Sequence, residues 1–197
     1  MNIFYLDSDP KIAAYQHCLK HKVKMILESA QMLASAYYVS NGITSSKQSK
    51  LPENKEKIKK IFKQFPRYKS KQLDIFTDNE SLPYGIGYVN HPCTVWSYSS
   101  IENWYWLLEL AYNLGFEYSR IYKKEHACMP ILDWFSENPP NLPNIEFYEP
   151  PQAMPDECKV ENNSVLAYRN YYILHKSKFA KWPVNEIPEW YIIDSNK

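Results

Sequence analysis

The residues best suited to chemistry share one helical line. At about 100° per residue, His17, His21, Lys24, Glu28, Gln31 and Ser35 fall within a narrow polar stripe. A plain wet face is usually Lys, Glu and Gln; two imidazoles beside an amine and a carboxylate can also hold and move protons. An amine that attacks a sugar carbon forms a Schiff base, and a nearby carboxylate stabilises the positive charge that develops there. Lys20, Lys24 and the α-amino group of Met1 are the candidate nucleophiles. Glu28 is the candidate carboxylate. His91 precedes Pro92, which disfavours helical geometry and projects the ring from a turn with Asn90.

The element that must carry the stripe is a long helix predicted over Asp9–Ser40. Asp9 is its N-cap, Pro10 suits the first helical position and Asn41-Gly42 is the stop. Ile12, Tyr15, Leu19, Val23, Ile26, Ala30, Leu33 and Tyr37 form its apolar face. Asn2–Leu6 is a short strand expected beside this helix, bringing Met1 near it. A capping box at Ser99 and Glu102 opens a second long helix to about Lys124, with Glu117 and Arg120 on its outer side as an ordinary ion pair. Ser-Val-Leu-Ala-Tyr-Arg gives a last helix from about Asn163 to Lys176. Its Arg169, among tyrosines, can bind phosphate, stack on a base or brace a carboxylate.

Six prolines between Pro139 and Pro155 mark an extended strap running over 131–155, ordered by Trp134, Phe135, Phe147 and Tyr148. The tail from Phe179 to Ile193, with Trp182 and Trp190, packs down. Four glycines in 197 residues argue against hairpin-rich β structure and against a Gly-rich phosphate loop. The expected fold is a mainly α, single-domain helical bundle over 1–197, with a short N-terminal strand, the proline-rich strap and a basic insertion at about 43–80.

The insertion concentrates charge. Lys47–Lys71 holds ten Lys and Arg against Glu53 and Glu56, an excess of eight on a chain whose net charge is +1. It is either a phosphate-tracking segment or a solvated helix over Glu53–Phe65, ended by Pro66 and followed by a loop over Arg67–Val89. Neither a signal peptide nor a membrane-spanning run is evident, which predicts a cytoplasmic protein with no membrane partner. Cys18, Cys93, Cys128 and Cys158 then read as reduced thiols. Three of them neighbour His17, His21, His91 or His126, but without local Cys spacing a zinc site would need long-range convergence. No metal or cofactor is expected.

Several strings carry a resemblance: Met1-Asn2-Ile3-Phe4, Lys20-His21-Lys22-Val23-Lys24-Met25-Ile26-Leu27-Glu28, Asn90-His91-Pro92-Cys93, Met154-Pro155-Asp156-Glu157-Cys158 and Ala167-Tyr168-Arg169-Asn170-Tyr171-Tyr172. Together they resemble a family of uncharacterised phage and bacterial proteins. The Asn-His-Pro turn, followed by an aromatic helix ending in Leu114-Gly115-Phe116, looks like the pyrimidine-dimer DNA glycosylases, small helical enzymes of DNA repair. That resemblance implies a glycosylase/lyase in which Met1 supplies the amine and Glu28 the carboxylate. Lys24 and His21 complete the catalytic group, and Lys20, Asn90, His91, Arg120 and Arg169 hold nucleic acid. Two other classes fit the residues: a non-catalytic nucleic-acid- or protein-binding factor in phage–host conflict, and a nucleotide- or base-modifying transferase. An enzyme requires His21, Lys24, Glu28 and His91 to converge; a binder leaves them scattered; a transferase adds a cavity for a second substrate.

Overall fold

The computed structural model describes residues 1–61 and 84–195. Much of the basic insertion, including Phe62, Phe65, Pro66 and most of the loop expected over Arg67–Val89, lies outside the described residues. Within them the chain is helical: α1 Pro10–Gln16, α2 Leu19–Ser40, α3 Ser46–Ser49, α4 Pro52–Ile61, α5 Pro92–Ser99, α6 Ile101–Tyr122, α7 Met129–Glu137, α8 Ser164–His175 and α9 Glu189–Ser195. A short 3-10 turn covers Asp156–Cys158.

Helix α6 is the axis of the bundle, touching α1, α2, α5 and α7. Its face of Trp104, Leu107, Leu110, Ala111 and Leu114 is fully buried, and burying each such side chain contributes about 1.5–3 kcal/mol. Gly115 lies where α7 crosses, with Met129 in the space a Cβ would need. The helix starts follow from local chemistry. Asp9 accepts from the N–H groups of Lys11 and Ile12 at 2.7 and 3.1 Å, and Asn163 accepts from Leu166 N–H at 2.8 Å. Ser100 accepts from Glu102 N–H, so the second long helix is capped one residue later than expected. The turn at His91 opens α5, a separate helix before it.

Three sequence expectations are corrected. The helix over 9–40 is broken at His17 and Cys18, both extended, with ψ of 139° and 159°. No Gly or Pro marks the break. Its causes are His17 Nδ1–H donating to the Ala13 carbonyl at 2.6 Å and the Lys181 carbonyl accepting Leu19 N–H at 2.7 Å. The N-terminal strand does not form. The Asn2 side chain accepts from the N–H groups of Ile3 and Phe4, Phe4 has φ +54°, and Leu6 N–H turns back to the Phe4 carbonyl. Ile3–Leu6 is thus a buried plug, and among the described residues no strand is present to pair with it. Trp134 and Phe135 belong to α7, so the extended strap begins only at Asn138.

The strap is held by hydrogen bonds. Trp96 Nε1–H donates to the Tyr148 carbonyl at 2.8 Å, Ile101 N–H to Pro143 at 2.9 Å and Tyr168 OH to Pro151 at 2.8 Å. The tail closes on α1 through the indole N–H groups of Trp182 and Trp190, which donate to the carbonyl and side chain of Gln16. No described helix is long and apolar enough to cross a membrane.

Candidate functional site

The polar stripe of α2 faces inward over much of its length. His17 and Ser35 are fully buried and His21 nearly so, whereas Val23 of the expected apolar face is more than a third exposed. The plug covers the stripe: the Phe4 ring stacks on His21 at 4.2 Å and meets Tyr172 edge-on at 5.4 Å.

Burial of the plug fixes the first residue. The Met1 side chain packs against the core, and its α-amino nitrogen lies 3.9 Å from Glu28 Oε2. The same oxygen accepts Asn2 N–H at 3.2 Å, and the Asn2 amide donates to the Ala153 carbonyl of the strap at 3.0 Å. Glu28 Oε1 meets Lys24 Nζ at 2.8 Å. Glu28 is 14% exposed and Lys24 61%, so the carboxylate sits in the wall of the site and the ammonium reaches solvent. One carboxylate thereby organises two amines.

His91 completes the group from α5, which packs against α2. As N-cap it accepts Cys93 N–H on Nδ1 at 3.2 Å, so its neutral form carries the proton on Nε2. Partial burial lowers its pKa; the positive Met1 amine lowers it further, and Glu28 opposes both. Behind it, Cys93 is buried, with Sγ 3.7 Å from Tyr168 OH. Burial pushes that thiol pKa up, away from thiolate chemistry.

Met1 and Lys24 therefore gather on Glu28, brought by the N-terminal plug and α2, and His91 at the start of α5 feels the charge of the Met1 amine and of Glu28. His21 stands behind the plug. Its Nδ1 is 2.5 Å from Tyr172 OH, and burial, aided by His17 and three lysines, drives its pKa down to about 2. It is a neutral wall residue beside the group. Lys20 is exposed, its Nζ 4.6 Å from the Phe179 ring centroid, and Asn90 is exposed in the turn before His91. Arg169 braces the plug: Nε donates to the Leu6 carbonyl at 2.9 Å, Nη2 meets Asp7 at 3.3 Å, and the guanidinium lies over Trp190.

Arg120 binds Glu186 at 2.6 Å and Glu117 at 2.8 Å, and Glu117 also holds the fully buried Lys22. This four-residue network joins α2, α6 and the tail. Sequence reasoning passes over Lys22 because it lies off the polar stripe. It also misses the orienting parts Asn2 and Tyr168; the amide directly after Met1 is the available signal. The three His–Cys neighbourhoods stay with separate partners, and among the described residues no three His, Cys, Asp or Glu side chains gather as metal ligands. All four cysteines are buried and free.

Nine residues beyond Glu28 on α2, Tyr37 borders an open cleft of about 360 Å³ with Trp134, Asn138 and Pro140. At 1.5 Å per residue this cleft lies about 13 Å along the helix from Glu28. No protein-family model, curated protein or solved structure matches the chain. Its chemistry is therefore read from its own side chains.

Proposed function

We propose that the chain is a base-excising DNA glycosylase/lyase in which the Met1 amine is the nucleophile, Glu28 the charge-stabilising carboxylate and His91 a hydrogen-bond donor to the leaving base. The observation that carries this reading is the amine 3.9 Å from a largely buried carboxylate that Lys24 also holds. In its unprotonated form the amine attacks C1′ of a nucleotide drawn out of the stack. The C1′–N bond to the base breaks and the base leaves with the bonding electrons, accepting a hydrogen bond from Nε2–H of His91 and taking its proton from water. Glu28 offsets the oxocarbenium-like charge and receives the proton lost by the attacking nitrogen; it passes that proton to O4′ as the C1′–O4′ bond breaks, which opens the sugar ring and leaves an iminium at C1′. Glu28, ionised again, takes a C2′ proton, the 3′ phosphate leaves with the electrons of its bond to C3′, and water hydrolyses the iminium to free the amine.

Borohydride trapping on DNA containing an abasic site tests this, with the adduct located by peptide mapping. The wild-type chain is expected to give a reduced adduct on the Met1 nitrogen. Glu28→Gln should lose it by about 100-fold or more, Lys24→Ala should keep it, and one glycine added ahead of Met1 should abolish it. An adduct on Lys24 transfers the nucleophile to that side chain. No adduct between about pH 6 and 9 overturns the mechanism, because an iminium must be reducible wherever the amine is partly unprotonated.

A further inference from the structure

The rings that wall the site end in ammonium groups. Lys176 Nζ lies 4.1 Å from the Tyr171 centroid and 5.9 Å from Phe4. Phe4 stacks on His21 at 4.2 Å, His21 meets the Phe179 ring at 5.4 Å, and Lys20 Nζ stands 4.6 Å from Phe179. Lys24 is one turn beyond Lys20 on α2, on the same side. Lys181 is exposed and its carbonyl accepts the first N–H of α2, which sets its residue at the positive end of that helix.

Of these four lysines only Lys24 has a carboxylate partner among the described residues, and that partner is Glu28. Glu157, in the 3-10 turn that packs on α8, is held by His175 at 2.9 Å. Lys20 rests against the Phe179 ring, and Lys176 lies over Tyr171 while donating to its hydroxyl at 2.9 Å, so neither charge is met by a carboxylate among the described residues. Lys20, Lys24 and Lys176 lie close enough to one imidazole that all three disfavour its charging. Such gathering of like charge is unfavourable in the free protein and is relieved by an anion.

We propose that Lys20, Lys24, Lys176 and Lys181 form a ridge that grips consecutive backbone phosphates of a DNA strand and leads that strand to the Met1–Glu28 group. The choice of DNA as the polyanion rests on the function proposed above. Lys24, paired with Glu28, stands where ridge and reactive group join.

The test is fluorescence anisotropy on the full chain, using a duplex with a tetrahydrofuran abasic analogue. That analogue has no aldehyde to trap, so binding is read apart from chemistry. Over about 50–200 mM salt, Lys20→Gln/Lys176→Gln should lower the slope of log K against log salt by about 1.8, at about 0.9 for each phosphate no longer neutralised, and weaken binding roughly tenfold or more. Lys20→Arg/Lys176→Arg should restore both, which a merely misfolded variant would not predict. An unchanged slope, failure of the arginines to restore it, or tighter binding of an RNA duplex overturns the ridge. A charge-dependent slope without any borohydride adduct would keep the ridge and remove the lyase; an adduct with an unchanged slope would do the reverse.

Discussion

At the scale of residues, the same side-chain type takes opposite duties according to what surrounds it. His91 sits half-buried beside an amine and a carboxylate with its tautomer set by Cys93 N–H. His17 is fully enclosed, and burial lowers its pKa to about 4. Because that value lies below the unfolded one of about 6.5, the unfolded chain binds the extra proton first. Stability from neutral His17 is therefore complete above pH 6.5 and lost as pH falls toward 4. Urea unfolding followed over this window should show stability falling, and His17→Gln should flatten the slope by about 1.4 kcal/mol per pH unit, the share of one proton. An unaltered slope would place the acid sensitivity elsewhere. Glu28 and Lys24 drew notice because they share a stripe with two histidines, their i,i+4 spacing being ordinary for a helix. The duty of Asn2 was not, since it depends on a strap carbonyl at Ala153.

At the scale of elements, capping chemistry was readable and tertiary interruption was not. Asp9 and Asn163 stand where the helix starts were expected, and Ser100 is one residue away. The break between α1 and α2 is set by a carbonyl at Lys181, distant in sequence, and no local signal announces it. The inward turn of the polar stripe has the same origin: periodicity shows that two faces differ, and the Phe4 plug decides which one is covered. The crossing of α6 and α7 gives a sharper case. Gly115→Ala gains about 1 kcal/mol of helix propensity but drives a methyl into Met129, at a cost of about 1–3 kcal/mol. The single variant should be less stable by about 1 kcal/mol in thermal or urea unfolding. In a Met129→Ala background the same change should become neutral or stabilising, and coupling near zero would show that α7 shifts freely.

At the scale of the whole molecule, both ends of the described chain are structural members. The N-terminal plug is walled by α2 and α8, and the tail is pinned to α1 by Trp182 and Trp190. The Lys22–Glu117–Arg120–Glu186 network fastens that tail to the bundle from the other side. Trp182→Ala/Trp190→Ala should therefore raise amide exchange at Leu19, whose N–H depends on the tail, while the amides of α6 keep their protection. Uniform loss of protection would mean that the tail is part of the global core. The mainly helical fold was legible from composition and helix faces. That the tail packs down was expected from its tryptophans; that it packs on Gln16 of α1 was not, because short aromatic stretches do not announce what they cover.

The Met1 amine has one more consequence. An α-amino group belongs to the backbone, so no codon specifies it as a functional group and no side-chain replacement at the first position deletes it. A library of substitutions would register Glu28 and His91 while leaving the proposed nucleophile invisible. A library of single-residue insertions directly ahead of Met1 would find it at once.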